Sequence, residues 1–361
     1  MDYLETYHLR NLEKYQEDAM KIGEYTEIKR EIFKLSGITQ TKTPKCDVRG
    51  LMYQDNSCWM DSVLVALFAV ENRYIKENIL EKDVRLIPKH PLSEQCDTQE
   101  AARKMQTAFL RLVISMEKKE ESYCANIRQM ILACLLSRTF GKTTQEESGE
   151  FVMYLFELFD VTNCTFHEVI HQTLILKKPF SRNDTDFVLT RTNVLASSYP
   201  VVQISPFWIE QNESTTIGDL ILFPDDSGEL DRRTELGYRR KITQTIPIKC
   251  NYLIVLAKRN HPELDVFLTN EIIPDQDLYL PLQSEHPNIR LTLHAIVVWR
   301  GTYRLAEKIN QGHWTTYLKC KDLWYYYDDM ADKLKEVGDY NALLGHPPDL
   351  SRFGVLFFYT R

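Results

Sequence analysis

NQGHWTTYLKCKDLWYYYDDM, residues 310–330, reads as two strands joined by a tight turn. HWTTYLK and LWYYY are filled with β-branched and aromatic residues, which suit a pleated, half-buried surface. The polar stretch CKD between them is short enough for a hairpin. Gly312 and His313 stand at one outer end of this unit, Asp328 and Asp329 at the other. A hairpin brings its outer ends together, so this one sets a carboxylate beside an imidazole. Such a carboxylate fixes the tautomer of a histidine that works as a base. A lone histidine is also a common structural residue, and both readings stand at this point. Gly312 allows close backbone approach in front of His313.

A base needs an acid to deprotonate, and residues 55–70, DNSCWMDSVLVALFAV, offer one. A polar run meets an apolar, helix-like run at Cys58, with Asn56 or Ser57 as N-cap. A free thiol has a pKa near ~8.5, and a helix N-terminus or a neighbouring imidazolium lowers it. On position alone Cys58 reads equally as a packed small hydrophobe, since free cysteine is among the most buried residues.

Further out, residues 1 to about 36 carry loosely helical periodicity, and SGITQTKTPKCDVRG breaks it. We place a boundary there, giving an N-terminal helical extension over 1–45 and a catalytic-size domain over 46–361. Helices are expected from Cys58 to about Lys82, over 98–120 with Thr98 as cap, over 126–140 and over 145–160. The last has an acidic first turn suited to the helix dipole. The period then changes. FHEVIHQTLILKK, YPVVQISPFWI, NYLIVLAKRN, IRLTLHAIVVWRG and GVLFFYTR read as strands. Helices first and strands after imply an α+β protein, a helical lobe beside an antiparallel β lobe.

Bulk properties narrow the function classes. The 361 residues are 43% hydrophobic and 11% aromatic, enough for a sizeable core. The net charge of −7, from 44 basic and 51 acidic residues, disfavours nucleic acid and anionic membrane as partners. No stretch reaches the roughly 18 apolar residues of a membrane span, and the N-terminus lacks a signal-peptide core. Triplets of glycosylation type at Asn163, Asn183 and Asn212 therefore read as incidental. Eight cysteines, at 46, 58, 96, 124, 134, 164, 250 and 320, are scattered without a C-x-x-C pair. That argues for free thiols in a reducing compartment, the cytoplasm or nucleus, and against a zinc ribbon.

Taken together the segments resemble the ubiquitin-specific protease family, papain-like cysteine peptidases that remove ubiquitin. Its cysteine box runs roughly G-L-x-N-x-G-N-T-C-Y-M-N-S, against GLMYQDNSCWMDS at 50–62. Its histidine box runs G-H-Y-x-x-Y and then W-Y-x-F-D-D, against GHWTTYLKCKDLWYYYDD at 312–329. QEESGEF at 145–151 is similar to the family's Q-Q-D-x-x-E-F helix. NYLIVLAKRN and GVLFFYTR resemble two of its strands. The resemblance covers about residue 46 to the end, in the family's order. It implies a thumb, palm and fingers architecture, with Cys58 as nucleophile, His313 as general base and Asp328 as orienting residue, Asp329 assisting. It implies no cofactor and no metal, a monomer, and ubiquitin or a ubiquitin-like modifier as partner. Glu146, Glu147, Glu150, Gly312 and Trp314 would line the path of the modifier's tail.

Three departures stand out. Tyr53 occupies the family's oxyanion asparagine position, which leaves Gln54, Tyr53 and Asn56 as candidate donors beside the Cys58 backbone N–H. The paired cysteines of a zinc-bearing fingers tip are missing. Cys-Trp-Met-Asp at 58–61 resembles a Cys-Trp-Leu-Asp variant in a SUMO-directed member of the superfamily, so SUMO is an alternative modifier. A catalytically weak ubiquitin-binding scaffold is a further alternative. HEVIH at 167–171 also matches the H-E-x-x-H zinc-protease motif, which requires a helix. The alternation around it reads as a strand, where residues four apart are separated by about 13 Å at ~3.3 Å each.

Overall fold

The computed structural model describes residues 46, 49–54, 56–93, 96–124, 127, 148–161, 166–177, 187–199, 201–204, 206–222, 236–245, 250–261, 264–280, 289–304, 309–331, 334–347 and 350–361. The extension over 1–45, most of the helix expected over 126–140, and Glu146 and Glu147 lie outside them.

The helical side has three main elements: α1 (Cys58–Phe68), α2 (Thr98–Lys118) and α3 (Ser148–Leu158). Every residue of α1 is buried. That explains its nearly continuous apolar sequence, because a helix buried all round needs no polar face. It ends at Phe68, earlier than expected. Asn72 then caps a fresh turn by accepting from the Ile75 N–H, which runs into a π-helical stretch over Lys76–Leu80. α2 starts one residue from the expected cap. Asp97, not Thr98, accepts from the Glu100 N–H, while the Thr98 hydroxyl is turned back onto the Pro88 carbonyl. Lys119 closes α2 in the left-handed region.

Besides three short two-stranded pairs, the described strands are β1 (Phe166–Lys177), β2 (Phe187–Tyr199), β3 (Val202–Ile204), β4 (Leu236–Thr245), β5 (Tyr252–Ala257), β6 (Asp277–Leu280), β7 (Ile289–Arg304), β8 (Ile309–Cys320), β9 (Leu323–Tyr327), β10 (Lys335–Gly338) and β11 (Gly354–Thr360). One sheet runs in the order β10-β9-β8-β7-β11-β5-β3, with β6 also paired to β7. Its ladders are antiparallel except β3 on β5, which is parallel. The antiparallel expectation needs that correction, and YPVVQISPFWI is no single strand. It is β3 followed by a helix over Pro206–Gln211, because proline is suited to a first helical turn and not to a central strand.

β2-β1-β4 form a separate three-stranded antiparallel sheet. HEVIH lies within β1, so the helical backbone that a zinc-protease reading requires is absent there.

The helical elements reach the large sheet through specific bonds. Thr316 Oγ1 on β8 donates to the Ser62 carbonyl of α1 at 2.8 Å, and Ser148 Oγ on α3 donates to the Trp59 carbonyl at 2.8 Å. Trp59 meets Phe151 edge-on, ring centroids 5.5 Å apart. Arg259, in the AKRN run after β5, is buried and donates to the carbonyls of Gly354, Leu268, Asn270 and Ser351. A guanidinium can satisfy several main-chain acceptors that a purely apolar core would leave dry.

The cysteine reading is corrected in one respect. Cys46 and Cys320 form a disulfide across 274 residues of sequence, with Cα atoms 5.6 Å apart. Scattered spacing concealed it, since the pairing depends on the segment before the cysteine box passing the end of β8. Among the described residues no helix is long and apolar enough to cross a membrane.

Candidate active site

The hairpin forms as its sequence dictates. β8 and β9 pair antiparallel from Cys320–Leu323 to Thr316–Tyr327, around a two-residue turn at Lys321 and Asp322. Continuing that register puts Asp328 opposite Thr315, on the same face as His313 and one diagonal step from it. Diagonal neighbours lie within reach of long side chains. His313 Nε2 and Asp328 Oδ1 are 2.8 Å apart. Asp328 also accepts from the Met330 N–H at 3.0 Å. Asp329 Oδ1 lies 3.6 Å from His313 Nε2.

Gly312 is required by its surroundings. A Cβ there would sit 2.5 Å from the Trp299 indole nitrogen and 2.7 Å from the Arg300 carbonyl oxygen. Trp314 is 5% exposed and packs near Trp299, ring centroids 6.3 Å apart. Its ring is therefore buried in the packing of the sheet.

Cys58 is the first residue of α1 and is 3% exposed. Its side chain is hydrogen-bonded to His313. With Nε2 committed to Asp328, the ring nitrogen left for the sulfur is Nδ1. The His313 pKa is raised to about 10, first by the Asp328 hydrogen bond, then by the bond with Cys58, against the opposing effect of burial. The same His313 bond holds the Asp328 carboxyl below its usual range, with burial opposing. Each partner stabilises the charged form of the other.

Long-range bonds place the loop before Cys58. The Arg49 N–H donates to the Met116 carbonyl at 3.2 Å, Met52 N–H to Ser122 at 2.9 Å and Tyr53 N–H to Asp329 at 3.0 Å. The Tyr327 hydroxyl donates to the Leu51 carbonyl at 2.8 Å. Gly50 leaves room for that ring, since a Cβ would lie 2.2 Å from it.

Of the oxyanion candidates, Tyr53 and Asn56 engage each other. The Tyr53 hydroxyl donates to Asn56 Oδ1 at 2.9 Å and accepts from the Asn56 N–H at 3.2 Å. Asn56 has φ of 59°, a conformation asparagine tolerates well. The Gln54 N–H donates to Ser57 Oγ at 2.9 Å. Glu150 is exposed on the first turn of α3.

Two buried carboxyls escaped the sequence reading as a pair, Asp61 on α1 and Asp329 beyond β9. The available signal was an acidic residue inside an otherwise apolar helix. Ligand atoms of His313, Asp328 and Asp329 lie within 4.8 Å of one another. Histidine and Asp328 are already joined by their hydrogen bond, and we assign no metal to them.

A cysteine opening a buried helix, facing a histidine on a sheet with a carboxylate behind it, is the layout of the papain-like cysteine peptidase fold. The model of the ubiquitin carboxyl-terminal hydrolase family matches residues 49–342, and the chain belongs to that family. Among solved structures it is similar to one titled as a SAGA DUB module, Ubp8/Sgf11/Sus1/Sgf73, bound to monoubiquitin. That match has a TM-score of 0.56 and 14% identity, and covers 91% of this chain and 73% of the other. A search of the curated proteins returns no match.

Proposed function

We propose that this chain is a thiol-dependent deubiquitinase that cleaves the bond after the C-terminal glycine of ubiquitin. The observation that carries the reading is the hydrogen-bonded line Cys58–His313–Asp328. His313 accepts the Cys58 proton on Nδ1 while Asp328 holds Nε2–H and supports the imidazolium. The thiolate attacks the glycine carbonyl, and the C–N bond breaks as His313 returns the proton to the leaving lysine amine. Water, deprotonated by His313, then opens the thioester and frees the carboxylate.

The oxyanion takes the Cys58 N–H, one of the first N–H groups of α1 and so outside its hydrogen-bond ladder. Gln54 supplies the side-chain donor, because the single Tyr53 O–H is committed to Asn56 Oδ1 and Asn56 is exposed, whereas Gln54 is half-buried beside Ser57. The modifier's glycine tail enters past Gly312, and Glu150 offers a carboxylate to basic residues ahead of the glycines.

A ubiquitin probe with a C-terminal electrophile tests this. Covalent capture at Cys58, lost in Cys58→Ala with the fold retained by circular dichroism, is expected. Binding of the probe without a bond would leave a scaffold and remove the enzyme. Cys-Trp-Met-Asp favours a second arm with a SUMO probe, and exclusive capture of SUMO would change the modifier.

A further inference from the structure

Asp61, the last residue of Cys-Trp-Met-Asp, points into the protein. It is fully buried and accepts from Ser57 Oγ, four residues earlier. Across the junction between α1 and the end of β9 stands Asp329, 1% exposed, whose carboxyl is hydrogen-bonded to that of Asp61. Apart from the Asp329 backbone N–H itself, no hydroxyl, amide or ammonium donor of the described residues reaches either Asp329 oxygen. The His313 Nε2 stands off at 3.6 Å. Two ionised carboxylates offer only acceptors, so a hydrogen bond between them contains a proton. Two like charges in contact away from water also strongly disfavour double ionisation.

We infer that Asp61 and Asp329 share one proton and act together as positioning residues, fastening the first turn of the Cys58 helix to the turn that carries Asp328. Its functional meaning rests on the proposed roles of Cys58 and His313; the shared proton itself does not. The junction is well placed for this. The Asp329 carbonyl receives the Tyr53 N–H, and the adjacent Asp328 holds the imidazole. One residue therefore meets the nucleophile helix, the loop before it and the histidine.

The groups facing the pair are Ser57, the N-cap of α1, His313 from β8, and Tyr327 and Asp328 from the end of the hairpin. Cys124, after α2, acts on the same Tyr327 hydroxyl. Burial pushes Asp329 up to about 6 from 3.8, with Asp328 adding and with His313 and the hydrogen bond from Asp61 opposing. An acid raised on folding holds a proton that the unfolded chain has released. Its stabilisation is whole below the unfolded pKa and is lost as pH climbs from roughly 4 through about 6. Asp61→Asn replaces the shared proton with an amide N–H, which donates to an ionised Asp329 at any pH in that range.

The experiment compares the full chain with Asp61→Asn from about pH 4.5 to 8, by urea unfolding and by the rate of Cys58 alkylation with iodoacetamide. The wild-type midpoint should decline relative to the variant as pH rises through the window. The acid limb of alkylation should move to lower pH in the variant, by on the order of threefold in rate near pH 5.5, because Asp329 ionises earlier beside His313. Should Asp61→Asn fail to fold, Asp329→Asn offers the same amide from the other side and should give the same relative shift in unfolding. Parallel unfolding and alkylation profiles would overturn the shared proton. Neither readout uses ubiquitin, so a chain that ignores ubiquitin yet shows the shift sinks only the proposed function.

Discussion

The two walls of the Cys58–His313 junction are built by different means. The histidine wall is one hairpin: a two-residue turn sets the register, and the register sets Asp328 diagonally from His313. The cysteine wall has no such local rule. Its loop is bonded to Met116, Ser122, Tyr327 and Asp329, and the segment before it is tied to Cys320. A cysteine–histidine pair can thus join a part specified by nearest neighbours to a part specified by the rest of the fold. The local part should tolerate the loss of distant contacts, and the other should not.

Chemistry on the cysteine wall gives the largest effect. Gln54→Ala removes the proposed oxyanion donor while leaving the His313–Asp328 bond alone. Loss of one such donor costs roughly a hundredfold or more in kcat, about 3 kcal/mol of transition-state stabilisation. Steady-state cleavage of a ubiquitin C-terminal amide measures it, with KM expected to change little. Unaltered kcat would return the role to Tyr53 or Asn56.

The staple between the walls comes next. Cys320→Ser opens a closure spanning 274 residues and should cost about 2–4 kcal/mol in urea unfolding. Its effect should fall unevenly. The Nε2–H proton resonance of His313, held by Asp328, should persist, while amide exchange over residues 49–54 should quicken. Loss of that resonance together with the staple would refute the independence of the hairpin.

This asymmetry also explains what was legible in the sequence. The hairpin, its Gly-His opening and its Asp-Asp close could be read directly, because period-2 alternation and turn length determine which side chains meet. The start of α1 at Cys58 was equally readable from the change of polar to apolar sequence. The end of α1, the cap of α2 and the Cys46–Cys320 bond were not, since competing local polar bonds or distant partners decide them. The burial of Trp314 was not legible for a related reason. An aromatic residue beside a histidine suits a groove or a core equally well, and the packing against Trp299 is what buries this one. Asp61 was visible as a departure in the cysteine box, but its partner lies 268 positions further along the chain.

The smallest prediction sharpens the contrast from the hairpin side. Lys321 sits at φ of 58° in the two-residue turn, a region that costs a residue with a Cβ roughly 1–2 kcal/mol. Glycine enters it freely but surrenders more conformational entropy on folding. Lys321→Gly should therefore stabilise the chain by only about 0.5–1 kcal/mol, read as a higher urea midpoint with an unchanged m-value. Because the register stays fixed by the β8–β9 ladder, the rate of Cys58 alkylation should not change. A slower rate would mean that the turn transmits strain to His313, and the hairpin could no longer be called the self-sufficient wall.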